Sequence, residues 1–177
     1  HVWIVDADNH FVSKFTNDGK ERLLTLGTPG EPGNDDTHFA RPTFIAFMDA
    51  NIWYLADGYD NTRVIKYDMA GNILGQWGEK GTPPNETRPG YWNNVHGIAV
   101  DPTTRRVFVN DRNNGRVQVF DEDGTFLDQW SMGPRPPMNI HDIYMGDDGV
   151  LWAADQGSSK LNGYDASGNF IYSWGTF

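Results

Sequence analysis

The sequence predicts an all-β fold made of repeated four-stranded antiparallel units. One observation is an aspartate that closes a short apolar run and recurs at spacings of 51, 54 and 44 residues: Asp6, Asp57, Asp111 and Asp155. Another is that two more short runs, rich in β-branched and aromatic residues, follow each aspartate and are bounded by turn residues. Four short strands per unit, repeated at this period, are typical of the blades of a β-propeller.

The cleanest unit has predicted strands at 95–100, 107–111, 116–120 and 125–130. Glycine stands at the same place before the fourth strand of each unit, where a hairpin needs positive φ: Gly19, Gly71, Gly124 and Gly168. First strands are predicted at 42–47, 95–100 and 140–145. Thr43, His96 and His141 then occupy the same register.

The units divide the chain into four blades at approximately 1–36, 37–90, 91–137 and 138–177. Connections rich in Gly and Pro are expected to cluster on one face, where loops commonly carry function: 28–34, 79–90 and 132–137. The first blade lacks an inner strand. We therefore expect a partial propeller whose ring is completed by further chain or by another subunit.

Composition narrows the classes of function. The 177 residues include seven Trp, and they contain no run of 18 apolar residues, so we expect no membrane span. The formal net charge of −10 argues against nucleic acid as a partner. The absence of Cys excludes disulfides and thiolate metal sites. It leaves the compartment open, with an extracytoplasmic or periplasmic location preferred.

Several motifs point to a family. They are HFARPT at 38–43, DGYDNTRV at 57–64, QWG at 76–78, VHGIA at 95–99 and DRNNGRVQ at 111–118. These units resemble the NHL repeat and, more closely, peptidyl-α-hydroxyglycine α-amidating lyase and its bacterial relatives. The resemblance implies a propeller of six NHL-type blades, about four of them present here. It also implies a lyase that cleaves a C–N bond at a zinc site in the central channel.

The resemblance assigns roles to individual residues. His96 matches a zinc ligand, and His141 with Asp142 matches a second zinc ligand and an adjacent aspartate that helps to bind a structural calcium. Tyr59 matches the catalytic tyrosine and Arg112 a catalytic arginine, whereas a third histidine and a second arginine would lie upstream. The family places its histidines in alternate blades, but here they are in consecutive ones. Either a blade is deleted or His141 is not the equivalent ligand.

The residue types allow this chemistry and also a plainer interpretation. First strands line a propeller channel, so His96 and His141 would converge on one axis and could hold zinc with an open position. Alternatively, both imidazoles are channel-lining groups bonded to backbone and water. Tyr59 is a phenol, with an ordinary pKa of about 10, and would need a nearby cation to act as a base. Alternatively, it plugs the mouth and its hydroxyl completes a turn.

Arg112 has the bidentate fork that suits a substrate carboxylate, or it forms a salt bridge to a neighbouring blade. The recurring aspartates are interpreted as structural because every unit has one. A lyase acting on a small peptide-like substrate is therefore the favoured function. The alternative is a non-catalytic NHL scaffold that binds a protein or a glycan through its loop face. A calcium-dependent lactonase is a third possibility, but no carboxylate cluster supports it.

Overall fold

The computed structural model describes residues 1–82, 86–133 and 139–175 and confirms the all-β prediction. Helical structure in these residues is limited to one 3-10 turn, Arg112–Asn114. Four antiparallel sheets follow one another along the chain, and we number them blades 1 to 4. Parts of the predicted connections 79–90 and 132–137, and the end of the fourth unit, lie outside the described residues. The number of blades in a complete ring stays a prediction.

Blade 1 has three strands, and blade 2 has four. The strands of blade 1 are β1 (Val2–Asp6), β2 (Phe11–Phe15) and β3 (Arg22–Leu26). Those of blade 2 are β4 (Phe44–Phe47), β5 (Ile52–Asp57), β6 (Arg63–Asp68) and β7 (Ile73–Trp77). A short parallel pair that the sequence did not predict follows: β8 (Glu79–Lys80) and β9 (Tyr91–Trp92).

Blades 3 and 4 repeat the four-stranded order. Blade 3 consists of β10 (Val95–Asp101), β11 (Arg106–Asp111), β12 (Arg116–Asp121) and β13 (Phe126–Ser131). Blade 4 consists of β14 (Ile140–Met145), β15 (Leu151–Asp155), β16 (Lys160–Tyr164) and β17 (Phe170–Trp174). Each predicted strand lies within about two residues of an observed one. The glycines predicted before each fourth strand have φ between 71° and 92°.

The core lies between successive sheets rather than within one layer. Trp3 of blade 1 packs on Trp53 of blade 2 at 4.9 Å between ring centroids. Further along, Trp77 of blade 2 lies 5.7 Å from Phe120 of blade 3. The inner strands of blades 2, 3 and 4 are neighbours in space, with β10 in contact with both β4 and β14. Residues at the start of these strands are therefore brought together.

A second contact between blades repeats along the chain. In blades 2, 3 and 4, the turn glycine before the fourth strand lies against an aliphatic or aromatic side chain from the last strand of the preceding blade. A Cβ added at Gly124 would come 2.7 Å from the ring of Trp77, and one at Gly168 would overlap the ring of Trp130. Gly is thus needed there for close packing as well as for its positive φ.

Candidate functional site

Two buried aspartates fix the turns that carry the candidate residues. The carboxylate of Asp57 accepts hydrogen bonds from the backbone of Ala40 at 3.0 Å, from Asn61 and from Arg63. Its side chain is fully buried, and the resulting loss of solvation raises its pKa. The aspartate is therefore a structural group, as the sequence predicted.

Asp111 makes the same set of bonds one blade later. Its carboxylate accepts from the backbone of Asn93 at 2.8 Å, from Asn114 and from Arg116. Burial raises the pKa of Asp111 as well. Blades 2 and 3 therefore present their second-strand turns on matching supports, each with a buried Asp–Arg pair.

Tyr59 and Arg112 occupy equivalent backbone positions on these supports. The N–H of Tyr59 donates to the carbonyl of Arg41 at 3.3 Å, and the N–H of Arg112 donates to the carbonyl of Asn94 at 3.0 Å. Arg41 and Asn94 both have left-handed backbones, with φ of 60° and 79°. The two candidate residues thus emerge at the same end of neighbouring blades.

Gly58 is an extra residue before Tyr59, and the sequence analysis did not single it out. A Cβ at this position would overlap the carbonyl oxygen of Val95, at the start of the next inner strand. The absence of a side chain lets the turn of blade 2 reach β10 directly. Val95 immediately precedes His96, so this contact sets Tyr59 beside the imidazole.

The two channel histidines lie at strand irregularities. The pairing of β10 with β11 shifts between Val95 and Ile98, and that of β14 with β15 shifts between Ile140 and Asp142. A bulge adds an unpaired residue and re-aims the side chain next to it. His96 and His141 are the residues at these shifts, and their rings are 4.9 Å apart between centroids.

The ring of His96 bonds to residues of both neighbouring blades. Its Nδ1 lies 2.6 Å from the backbone oxygen of His141, and its Nε2 lies 2.7 Å from the phenol oxygen of Tyr59. Because a carbonyl only accepts, Nδ1 carries the proton and donates. Nε2 is then the acceptor for the Tyr59 hydroxyl. Blades 2, 3 and 4 therefore meet at one ring.

The pKa of His96 agrees with Nε2 being the acceptor of the bond from Tyr59. Burial lowers its pKa to about 4, the bond to the His141 carbonyl opposes that shift, and Arg112 and the His141 side chain lower it further. The imidazole is therefore neutral near pH 7 and can accept at Nε2. Burial also raises the pKa of the Asp142 carboxyl to about 6, opposed by a bond from the Ile143 N–H.

Two arginines flank the Tyr59–His96 pair. Arg112 lies on the blade 3 side, where its Nε donates to Asn139 of blade 4 at 2.9 Å. The predicted alternative was a salt bridge to a neighbouring blade, and this hydrogen bond joins Arg112 to the neighbouring blade through an amide oxygen. Arg41 lies on the blade 2 side, with its guanidinium carbon 4.5 Å from the centroid of the Tyr59 ring. In the sequence, Arg41 is only a part of the motif at 38–43, and that pattern assigns it no role.

The histidine pair supplies part of a metal site. His141 Nε2 is buried and finds no hydrogen-bond partner among the described residues. His96 donates its other nitrogen to a carbonyl, as zinc-ligating histidines commonly do. Catalytic zinc normally takes three protein ligands. Within residues 1–82, 86–133 and 139–175, however, no three His, Cys, Asp or Glu side chains form a metal-binding group. The pair fits two ligands of such a site.

A concave surface lies further along the same inner strands. A groove of about 840 Å³ runs between β4, β10 and β14 and is lined by Phe44, Phe47, Asp142 and Tyr144, among others. Asp142 borders this groove, whereas His96, Tyr59 and Arg112 lie above it at the start of the strands. The carboxylate of Asp142 packs beside Gly97, whose missing side chain lets β14 approach β10.

Comparison with known sequences bears on this part of the chain. The model of the NHL repeat matches residues 93–120. The chain carries an NHL repeat. The matched segment contains His96 and Arg112 and spans most of blade 3, which was also the cleanest unit in the sequence.

Relatives with assigned names extend the match. The chain is 37% identical over 132 residues to peptidyl-glycine alpha-amidating monooxygenase A of Xenopus laevis, covering 73% of this chain and 14% of that protein. It is 34% identical over 137 residues to peptidyl-alpha-hydroxyglycine alpha-amidating lyase 1 of Drosophila melanogaster, covering 73% of this chain and 25% of that protein. The chain thus spans a quarter or less of these two relatives and resembles the amidating lyases.

Solved structures support the fold. A chain in the crystal structure of a nidogen/laminin complex superposes with a TM-score of 0.72, covering 98% of this chain and 59% of that one. The sequences are 14% identical, so the likeness concerns the fold alone. No helix in the described ranges is long and apolar enough to cross a membrane.

Proposed function

We propose that this chain has a lyase activity on peptides that end in α-hydroxyglycine, releasing the peptide amide and glyoxylate. The observation that carries the proposal is the 2.7 Å contact between the Tyr59 hydroxyl and Nε2 of a neutral His96, with the Arg41 guanidinium over the phenol and Arg112 close enough to lower the pKa of His96. A proton-accepting group beside cationic carboxylate partners is what this reaction requires. The names of the similar proteins supply the substrate class.

The reaction needs proton transfers and no redox partner. The substrate hydroxyl gives its proton to the Tyr59 oxygen while the Tyr59 proton passes to Nε2 of His96, and the carbinol oxygen becomes the aldehyde oxygen of glyoxylate. The same proton returns through Tyr59 to the leaving nitrogen. The electron pair of the C–N bond moves to nitrogen, which takes a proton to form the amide. His96 orients the phenol through its hydrogen bond. Arg112 holds the substrate carboxylate in a bidentate pair.

Zinc would be held by His96 and His141 together with a ligand from outside the described residues, and calcium would be held near Asp142. Bound zinc would act as a Lewis acid on the substrate hydroxyl. Because its Nδ1 donates to the His141 carbonyl, His96 would bind zinc through Nε2 in place of the Tyr59 hydroxyl, so the Tyr59–His96 hydrogen bond belongs to the site without zinc. Metal analysis of the purified protein and of His96→Ala tests this part: the variant should retain less zinc than the parent.

Activity is tested by incubating the protein with an N-acyl dipeptide ending in α-hydroxyglycine and measuring glyoxylate and amide together. Tyr59→Phe removes only the hydroxyl and should lower kcat by about 100-fold or more, with zinc content unchanged. Tyr172→Phe is the matched control, because Tyr172 lies on the outermost strand β17 and is 45% exposed.

A parent protein that releases no glyoxylate above the spontaneous rate would refute the proposed activity. Equal rates for Tyr59→Phe and the parent would remove Tyr59 from the chemistry. Equal losses of kcat in Tyr59→Phe and Tyr172→Phe would indicate a general effect of losing a hydroxyl rather than a specific role of the Tyr59–His96 pair.

A further inference from the structure

Arg41 differs from the residue at the same place in blade 3. We use the word mouth for the end of a blade where the turn after its second strand meets the residues that precede its first strand. The counterpart of Arg41 in blade 3 is Asn94, and both carbonyls accept the same type of hydrogen bond from the next turn. Both backbones are left-handed. Asn is among the residues that tolerate this conformation best, whereas a long side chain such as Arg adopts it at a cost. The arginine is thus kept at a position whose backbone favours another residue.

The backbone of Arg41 is held from two directions. Its N–H donates to Nδ1 of His10 at 3.1 Å, and its carbonyl accepts from Tyr59 at 3.3 Å. The N–H of Asp60 also donates to the carbonyl of Ala40 at 3.3 Å. The segment that carries Arg41 is therefore joined to the segment that carries Tyr59, and the guanidinium has a defined place over the phenol ring.

The guanidinium of Arg41 has a weak ionic contact with a surface carboxylate. The carboxylate of Asp8 in blade 1 lies 3.7 Å from one of its terminal nitrogens, and the side chains of Arg41 and Asp8 are 43% and 89% exposed. Exposed pairs at such distances contribute little to stability because water and salt screen them. An anion that enters the mouth can therefore compete with Asp8 for Arg41.

We infer that Arg41 is an anion-binding residue of this mouth and pairs with the carboxylate of the ligand that Tyr59 and His96 receive. The inference rests on the proposed function for the class of ligand, a C-terminal carboxylate. It adds a binding group from blade 2 to Arg112 of blade 3. The Asp8 carboxylate acts as the competing anion, and its removal strengthens binding.

The test measures binding without turnover. N-acetylglycine, which carries the carboxylate but no hydroxyl to react, is titrated into the protein by NMR, with N-acetylglycinamide as the neutral control. The parent should bind the acid at least about tenfold more tightly than the amide, as expected for a charge-assisted pair.

The parent and two variants separate an effect on binding from an effect on folding. Arg41→Asn installs the residue found at the equivalent position of blade 3, so its Tm should equal or exceed that of the parent while affinity for N-acetylglycine falls about tenfold. Asp8→Asn should change affinity in the opposite direction, tightening it by about two- to fivefold. A purely structural role for Arg41 gives no reason for the Asp8→Asn effect.

Unchanged affinity in Arg41→Asn, or no preference for the acid in the parent, overturns the inference. If Arg41→Asn loses both Tm and affinity, an Asp8→Asn protein with parental affinity overturns it, and tighter binding supports it. The proposed lyase activity fails separately, since a protein that binds N-acetylglycine through Arg41 but releases no glyoxylate keeps the anion site and loses the reaction.

Discussion

The mouths of blades 2 and 3 have one backbone framework and two different sets of side chains. In both, a buried aspartate accepts from a backbone N–H, an asparagine and an arginine, and a left-handed residue receives the next turn. Blade 2 places Arg41 and Tyr59 on this framework, and blade 3 places Asn94 and Arg112 there. The comparison shows that the side chains carried by two turns can differ while the support beneath them is repeated.

The largest expected loss of stability tests whether the buried Asp–Arg pairs of blades 2 and 3 contribute equally to the free energy of unfolding. Arg63→Ala and Arg116→Ala each leave a buried aspartate, Asp57 or Asp111, without its cation, so each should lower the free energy of unfolding by about 3–5 kcal/mol. The two losses should agree within about 1 kcal/mol, since both arginines also bond a glutamine and backbone carbonyls. Denaturant unfolding measures them.

The control for this pair is Lys20→Ala. Lys20 and Asp18 form an ion pair on the surface, with side chains 83% and 56% exposed, and its loss should leave unfolding unchanged. A clear inequality between Arg63→Ala and Arg116→Ala would show that the two mouths are supported differently despite their matching bonds.

A somewhat smaller effect tests what distinguishes blade 2. Gly58→Ala would drive a methyl group into the carbonyl of Val95, and because a backbone atom cannot move aside easily, we expect a loss of about 3 kcal/mol. Gly75→Ala is the matched control, since no described atom lies within 4 Å of its added Cβ, and this change should be neutral or stabilising by about 0.5 kcal/mol. Thermal unfolding of both variants gives the comparison, and similar Tm values would contradict the close approach of blades 2 and 3.

The smallest effect concerns the left-handed position of blade 3. Asn94→Ala should cost about 1 kcal/mol because alanine disfavours positive φ, whereas Asn94→Gly should cost little. The Asn94 side-chain oxygen is buried and has no hydrogen-bond partner in the described part of the chain, so its loss adds little to either value. Denaturant unfolding that ranks glycine below alanine would be the contrary result.

Much of the fold was predictable because its signals are local. Alternating apolar residues between turn glycines indicated the strands. Gly124 and the glycines at the same place in the other units indicated the hairpins. The structural role of Asp57 and Asp111 followed from their recurrence. The pair β8 and β9 was missed because two residues carry no periodicity, and its pairing depends on where a long connection returns.

The candidate site was predictable only in outline. Equal register brought His96 and His141 together, as expected for side chains on neighbouring inner strands. The direct bond from Tyr59 to His96 could not be predicted, because it depends on Gly58 reaching the start of another blade. Arg41 was missed for a related reason: its importance comes from contact with Tyr59, 18 positions further along the chain. The roles of these residues stay predictions until the variants are measured.

The repeated packing of a turn glycine on the preceding blade has a consequence for folding cooperativity. Trp77 is shielded by Gly124, and Trp130 by Gly168, so the last strand of one blade is completed only when the next blade has formed. Stability in such an array depends on nearest-neighbour coupling as well as on each repeat. Trp174 holds the same place at the end of β17 and is 69% exposed. Loss of the packing between blades 3 and 4 is therefore expected to loosen the His96 ring as well, because Nδ1 of His96 donates to the carbonyl of His141.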